Sequence, residues 1–451
     1  WQSHRRIADQ RFDEAVSLAL EFLAQLGIDL PRTPGPDDVG AVGGATIGAL
    51  QVTSAEEIGA LPDASDPTVV AAQRIKQGVM SAAYLTAPNL LPLLTCNIVQ
   101  SALRDGVARQ SAYGFAVFGM VMNAAGLIDV SYENGKIAMA LLERSPDRSM
   151  MAKTQHIVRA HLNPFVEPIT EVVEHERAVF QLGMDTGDLE YAAWALHNIV
   201  AYGFYSGMPL EELRQVDERS RTILERHKQL PALACTKPYS QQITTLAGEG
   251  TVAKSTQWRG LHYDEAEHMA ELVSRGFRGA AYILTVARTF IRFIFRDIEG
   301  ALRAADSGAE YADGAIATYH AVWWNQYRAL SALGTLEVAK EDDPLIVSAQ
   351  ANLAELEKWC AFSPINHTHR VALVQAELAR ALGQDTDAVG HYEAAIRHAA
   401  DAGFLHEEAL ANELAGRFFV SRDSRPQARA FLTEALDAYA EWGAAATAEH
   451  H

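Results

Sequence analysis

Three groupings of histidine are the places where this 451-residue chain could do chemistry. The first lies in GLHYDEAEHMAE, which holds His262, Asp264, Glu265 and His268. Glu265 and His268 have the Glu-x-x-His spacing that supplies two ligands from one helix face in di-iron bundles. Such a centre needs a second Glu-x-x-His and two more carboxylates. The nearest candidates, Glu171, Glu174 and His175, have the wrong spacing. Glu265 and His268 are therefore weak metal candidates, and no metal or other cofactor is expected. Asp264 and Glu265 read more simply as acidic residues favouring the positive end of a helix. The second grouping is His156 and His161 in KTQHIVRAHLNP. Residues five apart on an α-helix diverge by over a third of a turn, which makes poor co-ligands and points to part-buried or surface histidines. The third is SPINHTHR, where Asn366, His367, His369 and Arg370 stand beside a helix start. They could line a polar pocket, or Asn366 or Thr368 could cap the helix.

Tyr319, Trp323, Trp324 and Tyr327 follow i, i+4, i+5, i+8 spacing and share one helix face. Core packing is favoured over a ligand-stacking platform. With residues 366–370 they form the candidate groove or pocket. Other catalytic signatures are missing: no Gly-x-Ser-x-Gly elbow occurs, and no cysteine stands near a histidine in sequence. Cys96, Cys235 and Cys360 are odd in number and far apart, so they form no disulfide framework and no zinc pattern. They fit buried thiols in a reducing cytoplasm. Gly40, Gly43, Gly44 and Gly48 do not follow Gly-x-Gly-x-x-Gly, and no strand-like run precedes them. The stretch 31–48 reads as a flexible Pro/Gly-rich connection between helices. Gly135-Lys136 is followed by Ile137, so a Walker A loop is absent. No catalytic residue is assigned, and enzyme activity is left open while leaning against it.

The elements that position these residues are helices. From Asp66 onward DPTVVAAQRIKQGVMSAAYLT, PNLLPLLTCNIVQSALRDG and ARQSAYGFAVFGMVMNAAG each start near Pro, Asp or Ser and end near Gly. Glycine costs about 1 kcal/mol in a helix interior, so Gly114, Gly119 and Gly126 are expected to mark tight helix crossings. Further helix pairs are predicted at 131–165, 168–228, 262–312, 315–340 and 345–384. FIRFIF at 290–295 reads as buried helix, and strand alternation is nearly absent. Ser363-Pro364 should break one helix. The next should begin at Asn366 to Thr368, with His369 and Arg370 in its first turn. Cations are disfavoured there, so acidic or carbonyl partners from a neighbouring repeat are expected. A satisfied pair would be structural, and an unsatisfied pair facing a groove would mark a binding site; the structural outcome is preferred.

One helix-pair pattern appears twice near the end. Ala388, Tyr392 and Ala395 recur as Ala428, Leu432 and Ala435, about forty residues on, which is a repeat period of helical solenoids. Ala15, Ala19 and Phe22 repeat the small-residue stripe near the start. The fold expected is all-α, a tetratricopeptide-like helical-repeat superhelix (α-solenoid). It is read as one array over 1–449, clearest at 371–443, with 450–451 as a purification-tag remnant. The chain is 49% hydrophobic and 21% charged, with a net charge of −19 and a pI near 5.3. That balance argues against nucleic acid, which needs clustered Lys and Arg. No run of about 18 apolar residues suggests a membrane span, and a cytoplasmic location is expected.

The chain resembles the tetratricopeptide-like helical region of very large bacterial and fungal signalling proteins. Those carry a kinase-like domain, an AAA-type ATPase, this helical region and often a GAF domain and sensor histidine kinase. The resemblance rests on LAQLGIDLP, DPTVVAAQRI, SAYGFAVFGMV, SYENGKIAMALLER, DTGDLEYAAWAL, WRGLHYDE, WCAFSPINHTHRVALVQAELARALG and GFLHEEALANELAGRFF, in that order. It implies a non-catalytic scaffold whose partners are proteins or flanking domains of the same polypeptide. Two departures stand out. The 40–48 stretch is glycine-rich where the family looks helical, and His156 and His161 replace apolar or aromatic residues. The alternative is a stand-alone helical-repeat enzyme or small-molecule sensor with a polar, aromatic pocket inside the superhelix.

Overall fold

Aspartates and prolines open many of the helices. Asp66 caps Pro67–Thr86 by accepting from Thr68 N, Asp297 caps Ile298–Gly308 by accepting from Gly300 N, and Asp343 caps Pro344–Phe362 by accepting from Leu345 N. Left-handed glycines close others, as Gly187 does after Val172–Thr186 and Gly443 after Arg425–Trp442. The computed structural model describes residues 11–145, 147–248, 259–260 and 263–450, with side chains for 11–145, 147–248 and 264–447. Over these residues the fold is all-α. The strand pairing it contains joins Arg259–Gly260 to Tyr263–Asp264. Among the described residues no helix is long and apolar enough to cross a membrane.

Helices adjacent in sequence mostly pack on each other, notably Pro364–Ala381 on Asp385–Asp401 and Leu405–Ser421 on Arg425–Trp442. The small-residue stripes lie on the packed faces: Ala388, Tyr392, Ala395, Ala428 and Ala435 are buried. Leu432 presses on Gly416, where a Cβ would lie 2.7 Å from its Cγ. The FIRFIF run is interior helix, with Phe290 and Phe293 buried.

The chain also closes back on itself. Asn366 donates to the carbonyls of Pro164 (2.9 Å) and Glu167 (2.7 Å) and accepts from Ile169 N (3.1 Å). Trp442 Nε1 donates to the Met208 carbonyl at 3.1 Å. The space between is filled with rings: Phe204 meets Phe290, Trp323 and Trp442 at 5.5–5.8 Å, and Tyr205 meets Trp323 at 4.8 Å. Each such pair contributes about 0.5–1.5 kcal/mol beyond its buried area. Residues 364–442 are therefore bolted to residues 164–210 through an aromatic core.

Four sequence expectations are corrected. Residues 36–51 form a helix, Pro36–Gln51, where a flexible connection is expected. Gly35 as N-cap, Pro36 in the first turn, and Asp38 accepting from Gly35 N at 2.9 Å start it despite four glycines. Gly114 and Gly119 do sit at close crossings, where a Cβ would fall 2.3 Å from Ile98 and 2.6 Å from Leu162. Gly126 does not: its φ of +79° makes it a left-handed turn residue. Ser363 does interrupt the helix, but the next begins at Pro364, which places His369 and Arg370 beyond the first turn. Phe22 is exposed, and Leu23 takes the buried position instead.

Candidate functional site

The interior site starts from a backbone irregularity. Val158–Leu162 is a π-turn following the helix Met151–Ile157. The widened i→i+5 turn absorbs an extra residue and swings His161 back over His156. The two rings lie 5.5 Å apart, centroid to centroid, against the expectation that their spacing would separate them. Side chains secure the turn: Tyr202 OH donates to the Ala160 carbonyl (2.5 Å), and Asn123 Nδ2 donates to the His161 carbonyl (3.0 Å).

Two more histidines meet this pair across the interior. His197, on Leu189–Tyr205, and His320, at the start of His320–Gly334, stack at 6.4 Å with ring planes 2° apart. Each imidazole has one nitrogen engaged behind the ring. His156 Nδ1 meets the buried Glu176 carboxylate at 2.8 Å. His161 Nδ1 donates to the Ala317 carbonyl at 3.1 Å, which leaves Nε2 as its acceptor. His197 Nδ1 lies 3.3 Å from Thr236 Oγ1, whose own hydrogen goes to the Ala232 carbonyl at 2.8 Å. His197 must therefore donate through Nδ1, and its Nε2 is an acceptor too. His320 Nε2 meets Tyr239 OH at 2.7 Å, and Tyr239 OH meets Tyr205 OH at 2.5 Å. His320 Nδ1 is buried without a hydrogen-bond partner. Burial holds His161 and His197 neutral, with pKa values pushed down to about 3, and holds His320 well below its ordinary value.

These four rings border a cavity of about 110 Å³, walled mainly by tyrosine, tryptophan and aliphatic side chains. Among the described residues no Asp, Glu, Lys or Arg borders it. Gly279 and Gly314 close one side, where a Cβ on either would fall 2.5 Å from the other's backbone. An open cleft of about 1660 Å³ adjoins the chamber, and Ser81, Leu85, Tyr113, Tyr191, Trp194 and Pro231 border both. At this boundary the hydroxyls of Tyr113 and Tyr191 are hydrogen-bonded to each other. Lys153 lies 5.1 Å over the Tyr191 ring and pairs with Asp188 at 3.1 Å.

The residues singled out from sequence lie beside this chamber. Tyr319 borders it, and Trp323 and Tyr327 are buried in the aromatic core behind. Trp324 is half-buried, donating from Nε1 to the Ala305 carbonyl at 2.9 Å. Arg370 is fully buried and pairs with Glu407 at 2.5 Å, the acidic partner expected of it. Gln326 joins them, donating to Glu407 at 2.7 Å and accepting from Arg370. His369 has no such partner. Neither ring nitrogen of His367, His369 or His406 is hydrogen-bonded, and the rings lie against Tyr319 (5.8 Å), Phe404 (4.8 Å) and Trp323 (5.8 Å). Glu265 pairs with Arg288 at 2.6 Å, Asp264 caps its helix, and His268 lies 3.9 Å from Glu271. Among the described residues no three His, Cys, Asp or Glu side chains could hold a metal ion; His262 lies outside those residues. His197 and His320 escaped sequence reasoning, although both fall on otherwise apolar helix faces, and that is the signal that could have found them.

No family model matches the chain. It is similar to hybrid signal transduction histidine kinase G of Dictyostelium discoideum, at 24% identity over 194 residues. The match covers 42% of this chain and 6% of that relative, a distant likeness to one stretch of a signalling protein.

Proposed function

We propose that this chain is a non-catalytic helical-repeat scaffold, a tetratricopeptide-like superhelix that couples flanking domains of a cytoplasmic signalling protein. The observation that carries this is the open cleft. At about 1660 Å³ it is large enough for a segment of another domain. Its rim gathers Arg74, Arg109, Arg144, Lys153 and Lys228 together with Asp63, Asp147, Asp188 and Glu190, so five cations stand beside four carboxylates on a chain of net charge −19. Exposed or half-exposed pairs such as Arg109–Asp147 and Arg144–Asp63 exchange partners at little cost. The likeness to a small part of a hybrid histidine kinase supports a setting among flanking domains. The test is capture of the parent polypeptide's neighbouring domains by this chain. Arg74→Glu with Lys228→Glu should weaken capture about tenfold, a loss of about 1.4 kcal/mol, and leave thermal unfolding unchanged. Capture of no flanking domain, or capture indifferent to the double reversal, would sink the proposal.

A second reading, a small-molecule sensor or helical-repeat enzyme built around an interior pocket, is favoured by the chamber. No nucleophile–base pair is apparent there. Its cysteine, Cys235, is a buried thiol pushed up to about 12 by desolvation, the opposite of an activated nucleophile.

A further inference from the structure

We propose that the histidine–tyrosine chamber binds a small, uncharged aromatic molecule bearing a hydrogen-bond donor, a ligand of the phenol class. The inference deepens the sensor reading and rests on the chamber alone, not on the scaffold role. Four features of the wall select that chemistry.

Size comes first. A cavity of about 110 Å³ is somewhat smaller than the roughly 150 Å³ engineered cavity that takes up benzene, so one six-membered ring is the upper limit. A nucleotide, peptide or lipid chain would not be contained within it.

Charge is the second. With no Asp, Glu, Lys or Arg among the described residues on the wall, an ionised ligand would be stripped of water and meet no counter-charge there. Burial keeps three of the four histidines, His161, His197 and His320, neutral, and the fourth, His156, is already taken up by Glu176 at 2.8 Å.

The third is the wall's own chemistry. Tyr84, Tyr113, Tyr191, Trp194, Tyr202 and Tyr205 supply ring faces and edges, and these favour edge-to-face contact with an aromatic guest.

The fourth is hydrogen-bond polarity. His161 and His197 have their Nδ1 hydrogens committed to Ala317 and Thr236, so each offers a lone pair at Nε2. A guest that donates is matched at these two nitrogens. A wet chamber would place water against the same nitrogens, and a phenolic hydroxyl replaces that water while the ring fills the apolar remainder.

The Tyr113–Tyr191 hydroxyl pair stands where chamber meets cleft, which gives an entry route that opens by rotation of two side chains.

The experiment is isothermal titration of the full chain with phenol, benzene and benzoate. Phenol should bind saturably in the millimolar range or tighter. Benzene should bind about tenfold more weakly for want of the donor, and benzoate should not bind. His161→Phe and His197→Phe keep ring bulk and remove the acceptors, so each should shrink the phenol-over-benzene preference while benzene binding persists. Ala280→Leu, which fills the chamber from its wall, should abolish binding of both; circular dichroism checks that each variant is folded. A crystal soaked with phenol should show the ring beside His161. Failure of phenol and benzene to bind overturns the proposal, as does phenol binding that survives Ala280→Leu, or benzoate binding as well as phenol. Capture of flanking domains reads the cleft and not the chamber, so the two proposals fail separately.

Discussion

Two clusters of buried histidine meet at Tyr319, which borders the chamber and stacks on His367, and they are built to opposite plans. Around His156, His161, His197 and His320 each ring has one nitrogen engaged from behind, and the four border a cavity. Around His367, His369 and His406 the rings lie against aromatic faces with both nitrogens unbonded, and none of the three borders that cavity. The second cluster holds a buried guanidinium–carboxylate pair, Arg370–Glu407; among the described residues the chamber wall carries no Asp, Glu, Lys or Arg, and the carboxylate nearest its rings, Glu176, stands behind His156. Burial alone therefore does not mark a site. What distinguishes the chamber is that its polar atoms are oriented and face unfilled space, whereas the packed cluster is oriented by a salt bridge and by stacking. One plan suits a guest, and the other locks two parts of the chain together.

The largest expected effect tests the locking role. Arg370 and Glu407 are 0% and 1% exposed, and Gln326 hydrogen-bonds to both. Removing one partner of a buried pair leaves an uncompensated charge, so Arg370→Met should destabilise the fold by about 3–5 kcal/mol in urea unfolding. Replacing both, Arg370→Met with Glu407→Leu, should recover most of that. His161→Phe, which gives up one hydrogen bond at the chamber edge, should lose only about 1 kcal/mol. Equal losses for Arg370→Met and His161→Phe would erase the contrast between the clusters.

Acid sharpens the comparison next. An imidazole whose folded pKa is depressed is protonated in the unfolded chain before the folded one. Between the folded value of about 3 for His161 and His197 and the ordinary value of about 6.5, the unfolded state binds the extra protons. Stability is then fully present above about 6.5 and falls with pH below it, by about 1.4 kcal/mol per pH unit for each such ring. His320, His367, His369 and His406 are displaced in the same direction and steepen the slope. Chemical unfolding followed from pH 7.5 to 5 should show the midpoint falling only below about 6.5. The double variant His161→Phe, His197→Phe should flatten part of that slope, and the remainder belongs to the packed cluster and His320. A midpoint that does not move between pH 7 and 5 would contradict buried neutral histidines in both places.

Much of the helical framework was legible because helix punctuation is local: Asp66 caps the helix whose start it signals. The stripe Ala388, Tyr392, Ala395 marked its buried face, because a 3.6-residue period needs no knowledge of the partner. The helix over Pro36–Gln51 was missed because glycine content argues against a helix, while one cap and Pro36 suffice to start it. The chamber was not legible. Its first histidine pair depends on a π-turn, and a periodicity of 3.6 places His156 and His161 apart where the structure brings them together. Its second pair, His197 and His320, comes from helices more than a hundred residues apart in sequence, so only the tertiary fold can stack them. Arg370 fell between: its need for an acidic partner was readable, but that the partner would be Glu407 was not.

The smallest expected effect concerns the loop that orients His161. Ala317 is held at φ +53°, a left-handed conformation that a side chain disfavours by about 1–2 kcal/mol. Its carbonyl accepts from His161 Nδ1, so the strained residue fixes which nitrogen of that ring is left for a guest. Glycine adopts this conformation freely but adds about 0.5–1 kcal/mol of unfolded-state entropy. Ala317→Gly should therefore stabilise the fold by no more than about 1 kcal/mol, read as a small rise in melting temperature. Phenol preference should persist, because the carbonyl keeps its place. A loss of stability in this variant would show that the alanine methyl, and not the backbone geometry, holds the loop. A kept stability with a lost phenol-over-benzene preference would show that the loop had turned its carbonyl away and freed the His161 tautomer. Either result would move the chamber toward the packed cluster, where stacking holds the rings and no hydrogen bond selects a nitrogen.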